Sequence, residues 1–395
     1  VAAAGFRTVS RQRRFGYQLG LHWKDKAMAE PLKEMFNRQA VDWLAGRLAA
    51  AAPGFPRARF TNAILADLPA LELIARVDRI AAEMRRHLPD DFRQAVKIVA
   101  RALGDPPPPG DGTDFGSFRV LPCHRFVALA GLDHADHALA YFRDTTRHFS
   151  AEFDIRPFIQ RDQAKVLRVM RGWADDGDWR VRRLASEGSR PRLPWGLRLQ
   201  ALVQDPQPIL PILEALRDDP IVAVRRSVAN AVNDIAKDHP DRVVALLGAW
   251  QGKASRAPLI RHALRHLVKQ GHAGALQLMG VDDKARFEIA DLTLDRRRVR
   301  IGESLGLSLT LGNAGKKPAR AILDYAVHHL GARGELRPKV FKWREVELAP
   351  GESIALARRH SLKPVTTRRY YPGGHKLDIR VNGRVLAEAA FHLGK

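Results

Sequence analysis

Asp175-Asp176-Gly177-Asp178-Trp179-Arg180-Val181-Arg182-Arg183 and Asp218-Asp219-Pro220-Ile221-Val222-Ala223-Val224-Arg225-Arg226 are one phrase written twice, 43 residues apart. In each copy an acidic turn with glycine or proline leads into an apolar-spaced run carrying Val-Arg-Arg. A weaker third copy is Leu259-Ile260-Arg261-His262-Ala263-Leu264. A turn entering a helix at a period of ~40–47 residues is the signature of HEAT-type repeats, in which each helix pair buries its apolar face on its neighbour. Toward the N-terminus the spacing stays helical, as in Leu71, Leu73, Ile74, Val77, Ile80 and Met84. The run Asp105-Pro106-Pro107-Pro108-Pro109-Gly110-Asp111-Gly112 reads as a surface loop inside this helical region.

After Val281 the period changes to two. Phe287–Ala290, Leu307–Leu311 and Leu377–Val381 alternate, and the last is followed by Asn382-Gly383, a strong two-residue hairpin signal. Further turns at Gly312-Asn313, Pro350-Gly351 and Pro372–Gly374 space several strands over the remaining chain, which fits an immunoglobulin-like sandwich. The expected architecture is therefore multidomain α and β: an all-α HEAT-like-repeat solenoid over residues 28–281, then an immunoglobulin-like β-sandwich over 282–395. Residues 1–27, with six basic residues and one acid, read as a disordered basic extension upstream of a domain start at Met28.

At 395 residues, with 45% apolar and 28% charged side chains, the chain is too long for one ordinary core and too apolar to be disordered. It has no apolar run of the ~18–20 residues that a membrane helix needs. One cysteine, Cys123, allows neither a disulfide framework nor a thiolate zinc cage, so a soluble, cytoplasmic protein is expected. The charge is distinctive: 66 Lys+Arg against 43 Asp+Glu give +23, and +10 of it falls in the 114 residues after 281. A polyanionic partner follows, although charge alone fits nucleic acid, membrane headgroups and ribosome-like surfaces equally. Cys123, His124, His134 and His137 lack a regular ligand spacing, and His262 and His266 lack a suitable acid, so no metal is expected. Phosphate-cradling glycine motifs in a strand-to-helix setting are absent.

The segment Phe149–Phe158, containing Glu152 and Arg156, and the string Val181–Trp195, containing Ser186-Glu187-Gly188-Ser189-Arg190-Pro191-Arg192-Leu193-Pro194-Trp195, resemble the AlkC branch of the AlkC/AlkD HEAT-like-repeat DNA glycosylases. The resemblance runs from Met28 to Lys395 and includes Met28–Lys33, Val232–Pro240 and Arg369-Tyr370-Tyr371-Pro372-Gly373. It implies a monofunctional, cofactor-free glycosylase of base excision repair that hydrolyses the N-glycosidic bond of cationic N-alkylated bases, 3-methyladenine and 3-methylcytosine, without flipping the base out of the stack. It also implies double-stranded DNA as partner and a nucleoid-associated monomer that needs no protein partner. Glu152 and Glu187 match the family's acidic positions, and Trp195 its aromatic one. Asp154 stands where a small residue is expected, and on a helix it would lie about 200° from Glu152.

The chemistry suits these residues. A base alkylated on a ring nitrogen is a cationic leaving group that needs no general acid. What remains is to stabilise the sugar cation and orient water, which carboxylates can do. Phosphate contacts are expected from Arg156, Arg180, Arg182, Arg183, Arg190, Arg192, Arg225 and Arg226. Arg261, Arg265 and Lys269 should add a stripe at i, i+4, i+8, and Arg368 and Arg369 in the sandwich should contribute as well. A structural reading also fits: Glu187 neutralises Arg182 and Arg183, Glu152 pairs with Arg156, and the repeats form a non-catalytic nucleic-acid- or protein-binding scaffold. Trp173 reads as core, while Trp179 reads either way.

Overall fold

Each copy of the repeated phrase forms a tight turn entering a helix, Trp179–Gly188 and Val222–Ile235, in the computed structural model. The structure describes residues 32–110, 117–282, 284–365 and 368–395. The basic stretch 1–27, the start at Met28 and the loop end at Asp111 and Gly112 lie outside the described residues.

The repeat has a chemical cause. Asp176 and Asp219 each accept the backbone N–H two residues on, at 2.9 and 2.8 Å, which closes the turn. Their other oxygens take a guanidinium from an earlier helix, Arg143 on Asp176 at 2.7 Å and Arg182 on Asp219 at 2.6 Å. Arg182 also donates to the carbonyls of Asp176 and Gly177, and Arg225 to those of Asp219 and Pro220. The recurring Asp and Arg thus bind turn to helix within a repeat and repeat to repeat. The proline loop folds back on the same helix: Trp179 Nε1 donates to Gly110 O at 3.1 Å, and Arg180 donates to Pro107 O at 2.8 Å.

The third copy departs from expectation. Its helix Ala257–Ala263 stops at Leu264 (ψ −6°), and a second short helix, Arg265–Gln270, follows. Arg261 therefore stands on a different helix from Arg265 and Lys269, and the three do not form one continuous helical stripe.

Among the described residues eight strands follow: β1 (Phe287–Leu294), β2 (Arg298–Arg300), β3 (Ser304–Asn313), β4 (Ala319–Leu330), β5 (Leu336–Leu348), β6 (Ser353–Ser361), β7 (Gly373–Val381) and β8 (Arg384–Gly394). They form a three-stranded sheet, β1-β3-β6, and a five-stranded sheet, β2-β8-β7-β4-β5. Leu305, Leu307, Leu309 and Leu311 of β3 alternate into a core shared with Leu323, Tyr325 and Val327 of β4 and with Leu377, Ile379 and Val381 of β7. The hairpin falls at Asn382-Gly383, where φ of 51° and 79° and the pairing of Val381 with Arg384 make a two-residue turn of type I′ character.

Helix gives way to strand between Leu278 and Phe287, yet packing divides the chain earlier, between Val228 and Ala229. Inside the second unit the last helices are fastened to the sandwich. Arg320 at the start of β4 donates to Met279 O at 3.0 Å, and the turn at Gly383 lies against Gly271, the left-handed cap of helix Arg265–Gln270. A Cβ on Gly271 would stand 3.1 Å from Gly383 Cα, and one on Gly383 would overlap the Gly271 backbone outright. Gly383→Ala should accordingly destabilise the second unit by about 2 kcal/mol or more through φ strain and this overlap. A urea titration followed by circular dichroism checks it, with Gly351→Ala, at a similar φ but in open space, as the control for strain alone.

Candidate active site

Glu152 does not lie on a helix. It starts a turn over residues 152–155 that feeds the helix Arg156–Arg161, and Ser150 Oγ donates to its carboxylate at 2.8 Å. Arg183, in helix Trp179–Gly188, donates to the same carboxylate oxygen at 2.8 Å and to Ser150 Oγ at 3.2 Å. The other arm of Arg183 lies 3.7 Å from Glu187 Oε2, one helical turn along, and Arg190 Nη1 stands 2.5 Å from Glu187 Oε1. The result is an alternating line, Glu152, Arg183, Glu187, Arg190, whose side chains are all no more than 15% exposed. Ser227, from the next repeat's helix, bonds Ser186 Oγ at 2.6 Å and adds a hydroxyl contact to Glu187. Burial works against ionising Glu187, but Arg190 and Arg183 outweigh it and hold its carboxyl below the usual range.

Asp154 faces elsewhere. It is buried, with Arg125 Nε 2.8 Å away, and Arg125 also reaches Asp78. Burial pushes its carboxyl up to about 7, with Arg125 only partly offsetting that.

Trp195 projects from the loop after Ser189 with 65% of its surface exposed and a left-handed φ of 63°, which a bulky residue rarely adopts. Trp173 is core, and Trp179 is buried as the anchor of the proline loop.

The expected phosphate contacts separate by placement. Arg156 is fully buried and has no surface to offer a phosphate; it donates to the carbonyls of Leu197 and Gly188. Arg183 and Arg190 serve the two glutamates, Arg182 and Arg225 the repeat turns, and Arg180 the Asp178 carboxylate and the proline loop. Arg226 and Arg261 are exposed and Arg192 is half-buried. Arg265 donates to Asn230 Oδ1 at 3.0 Å. Lys269 faces buried Asp324 of β4, whose carboxyl burial pushes up to about 6 against the pull of Lys269. Arg368 donates to His329, which burial and Arg368 hold neutral by lowering it to about 3; Arg369 is exposed and lies 5.5 Å over the Tyr371 ring.

Sequence reasoning brought out both glutamates but missed Ser150, Ser227 and the bridging use of Arg183. The i+4 and i+3 spacing of Arg183, Glu187 and Arg190 was the available signal; nothing local linked Arg183 to Glu152, 31 residues away. Among the described residues no three His, Cys, Asp or Glu side chains group to hold a metal, and no helix is long and apolar enough to cross a membrane.

Residues 288–395 match the family model described as "Uncharacterised protein YhaZ, C-terminal Ig-like domain". The chain is 36% identical over 356 residues to "Uncharacterized protein YhaZ" of Bacillus subtilis (strain 168), covering 90% of this chain and 97% of that protein. Its fold aligns with the Pseudomonas fluorescens alkylpurine DNA glycosylase AlkC, bound to DNA containing an abasic-site analog, with a TM-score of 0.84 and 36% identity over 92% of this chain and all of that one. Helical repeats and sandwich are thus shared together and in the same order, and the chain belongs to the AlkC family of HEAT-like-repeat DNA glycosylases.

Proposed function

We propose that the protein is a monofunctional alkylbase DNA glycosylase acting in base excision repair on bases already cationic, 3-methyladenine and 3-methylcytosine among them. The observation that carries this reading is the line Glu152–Arg183–Glu187–Arg190. Arginine partners keep Glu187 an anion, which has no proton to give a leaving group but can face a sugar cation. A neutral base would need a proton to leave; a ring-alkylated base brings its own positive charge. A carboxylate ~4 Å from the developing cation at an effective dielectric of ~20 gains roughly 4 kcal/mol, nearly three decades of rate if realised only in the transition state. Ser150, on Glu152, offers a hydroxyl that can help orient the attacking water.

Trp195 is the residue we assign to the damaged nucleotide. An exposed indole face attracts a cationic base by ~1–2 kcal/mol once water is displaced. Contact with a base left in the stack fits an aromatic group carried on a projecting loop, and we infer that the base is not flipped. The exposed Arg226 and Arg261, half-buried Arg192 and exposed Arg369 are the cations proposed to bind phosphates, on duplex DNA of the nucleoid and with the protein as a monomer.

Glu152→Gln and Glu187→Gln should each lower single-turnover release of 3-methyladenine by about two to three decades with DNA binding retained. Full activity in both would leave a DNA-binding scaffold.

Glu187 takes up a proton only below the ordinary carboxylate range, so excision by the wild type should stay level from about pH 8 down through that range, near about pH 4.3, and fall only below it. A limb centred near pH 7 in the rate profile would instead implicate Asp154.

Affinity for DNA should fall steeply with salt, and Arg226→Ala should flatten the plot of log K against log salt by ~1. Arg182→Ala and Arg225→Ala, which strip the repeat turns of their donors, should lower the unfolding midpoint instead.

A further inference from the structure

We propose that Arg156 is a positioning residue of this site, a side chain that ties the Glu152 turn, the end of the Glu187 helix and the Trp195 loop to one another. The inference rests on the functional reading above and extends it to a residue that touches none of the reacting atoms. Arg156 opens the helix Arg156–Arg161, four residues after Glu152 and in continuation of its turn. It is one of the largest fully buried side chains in the protein, at 0% exposure. Its Nη1 donates to the carbonyl of Gly188, the residue after Glu187, at 2.8 Å. Its Nε donates to the carbonyl of Leu197, two residues past Trp195, at 2.5 Å. One guanidinium therefore joins the Glu152 turn, the end of the Glu187 helix and the Trp195 loop.

Two neighbouring glycines fit the same arrangement. A Cβ on Gly188 would come 2.9 Å from Ile155 Cγ2, so the helix end and the Glu152 turn approach as closely as the absence of a side chain allows. A Cβ on Gly196 would meet Leu193 Cδ2 at 3.0 Å and Arg156 Cδ and Nε at 3.2 and 3.3 Å, so the Trp195 loop lies directly on the Arg156 side chain. Trp195 itself holds a left-handed backbone conformation that is strained for such a residue, and the surrounding structure has to impose it. The bond from Arg156 to Leu197 fixes the far side of that residue. A planar fork can serve two carbonyls in set directions, whereas a lysine ammonium on a flexible stem does not reproduce that geometry.

The test uses the full chain with Arg156→Lys, Arg156→Met and Gly196→Ala. Four measurements are made on each: single-turnover release of 3-methyladenine, Kd for duplex DNA with an abasic-site analog, trypsin cleavage after Arg198, and far-ultraviolet dichroism. Misplacing a catalytic group by ~1 Å costs on the order of a hundredfold in rate. Both Arg156 variants should therefore lose about 30- to 100-fold in excision while Kd changes less than about threefold, and the Arg198 bond should become readily cut. Gly196→Ala, which keeps Arg156 but lifts the loop off it, should show the same split even if the Arg156 variants fold poorly. A further variant, Arg156→Ala, leaves room for the missing group, and guanidinium at tens of millimolar should restore part of its excision rate. Wild-type excision and trypsin pattern in Arg156→Lys would overturn the proposal, as would losses that follow helix content with no guanidinium rescue. An inactive wild type would sink the functional reading instead, and the trypsin pattern would still decide whether Arg156 holds the loop.

Discussion

A guanidinium shared by two carboxylates is the constraint around which the helical part is arranged. Two acids withdrawn from water toward one another would repel, and one would take up a proton. Arg183 between Glu152 and Glu187, with Arg190 beyond, lets charge alternate along the line and keeps Glu187 ionised. Asp154 illustrates the other outcome two residues away: it shares Arg125 with Asp78, and burial carries its carboxyl to about 7. For Arg183 to reach both glutamates, the turn of one helical pair must meet the helix of the next at fixed height. The Asp176 and Asp219 turns, each gripped by an arginine from an earlier helix, supply that height.

Much of this was legible in the sequence, and the reason is periodicity. The 43-residue phrase marks the repeats because each copy must make the same turn, and the alternation at Leu307–Leu311 marks a strand because one face must be buried. Glu152 and Glu187 were singled out as candidates through the motif that surrounds them. What the sequence concealed is partnership over distance. Arg156, Arg180, Arg182 and Arg225 read as a phosphate-binding surface because arginine is the same letter whether it faces a phosphate or a carbonyl. In the folded chain they donate to carbonyls of loops and turns, some lying far away along the chain. The angle between Asp154 and Glu152 was reckoned as on a helix, whereas the helix begins only at Arg156, just ahead of Pro157, a residue suited to a first turn. Strand β5 escaped notice because its charged residues, such as Lys339, Lys342 and Arg344, blur the alternation of an edge strand largely open to solvent.

The change of period after Val281 marks where helices stop and strands begin, which is a different question from where the molecule can be divided. The last helices are packed with the strands that follow them, and the join depends on two glycines meeting without side chains, Gly271 and Gly383. Those residues are 112 positions apart and belong to different kinds of secondary structure, so they can change only together. A sandwich borrowed from an unrelated protein would bring a hairpin with no matching notch in the helix cap. Exchange of parts during evolution is then expected to travel as a block that includes the closing helices, and hybrids spliced at the visible helix-to-strand border should be rare among natural relatives.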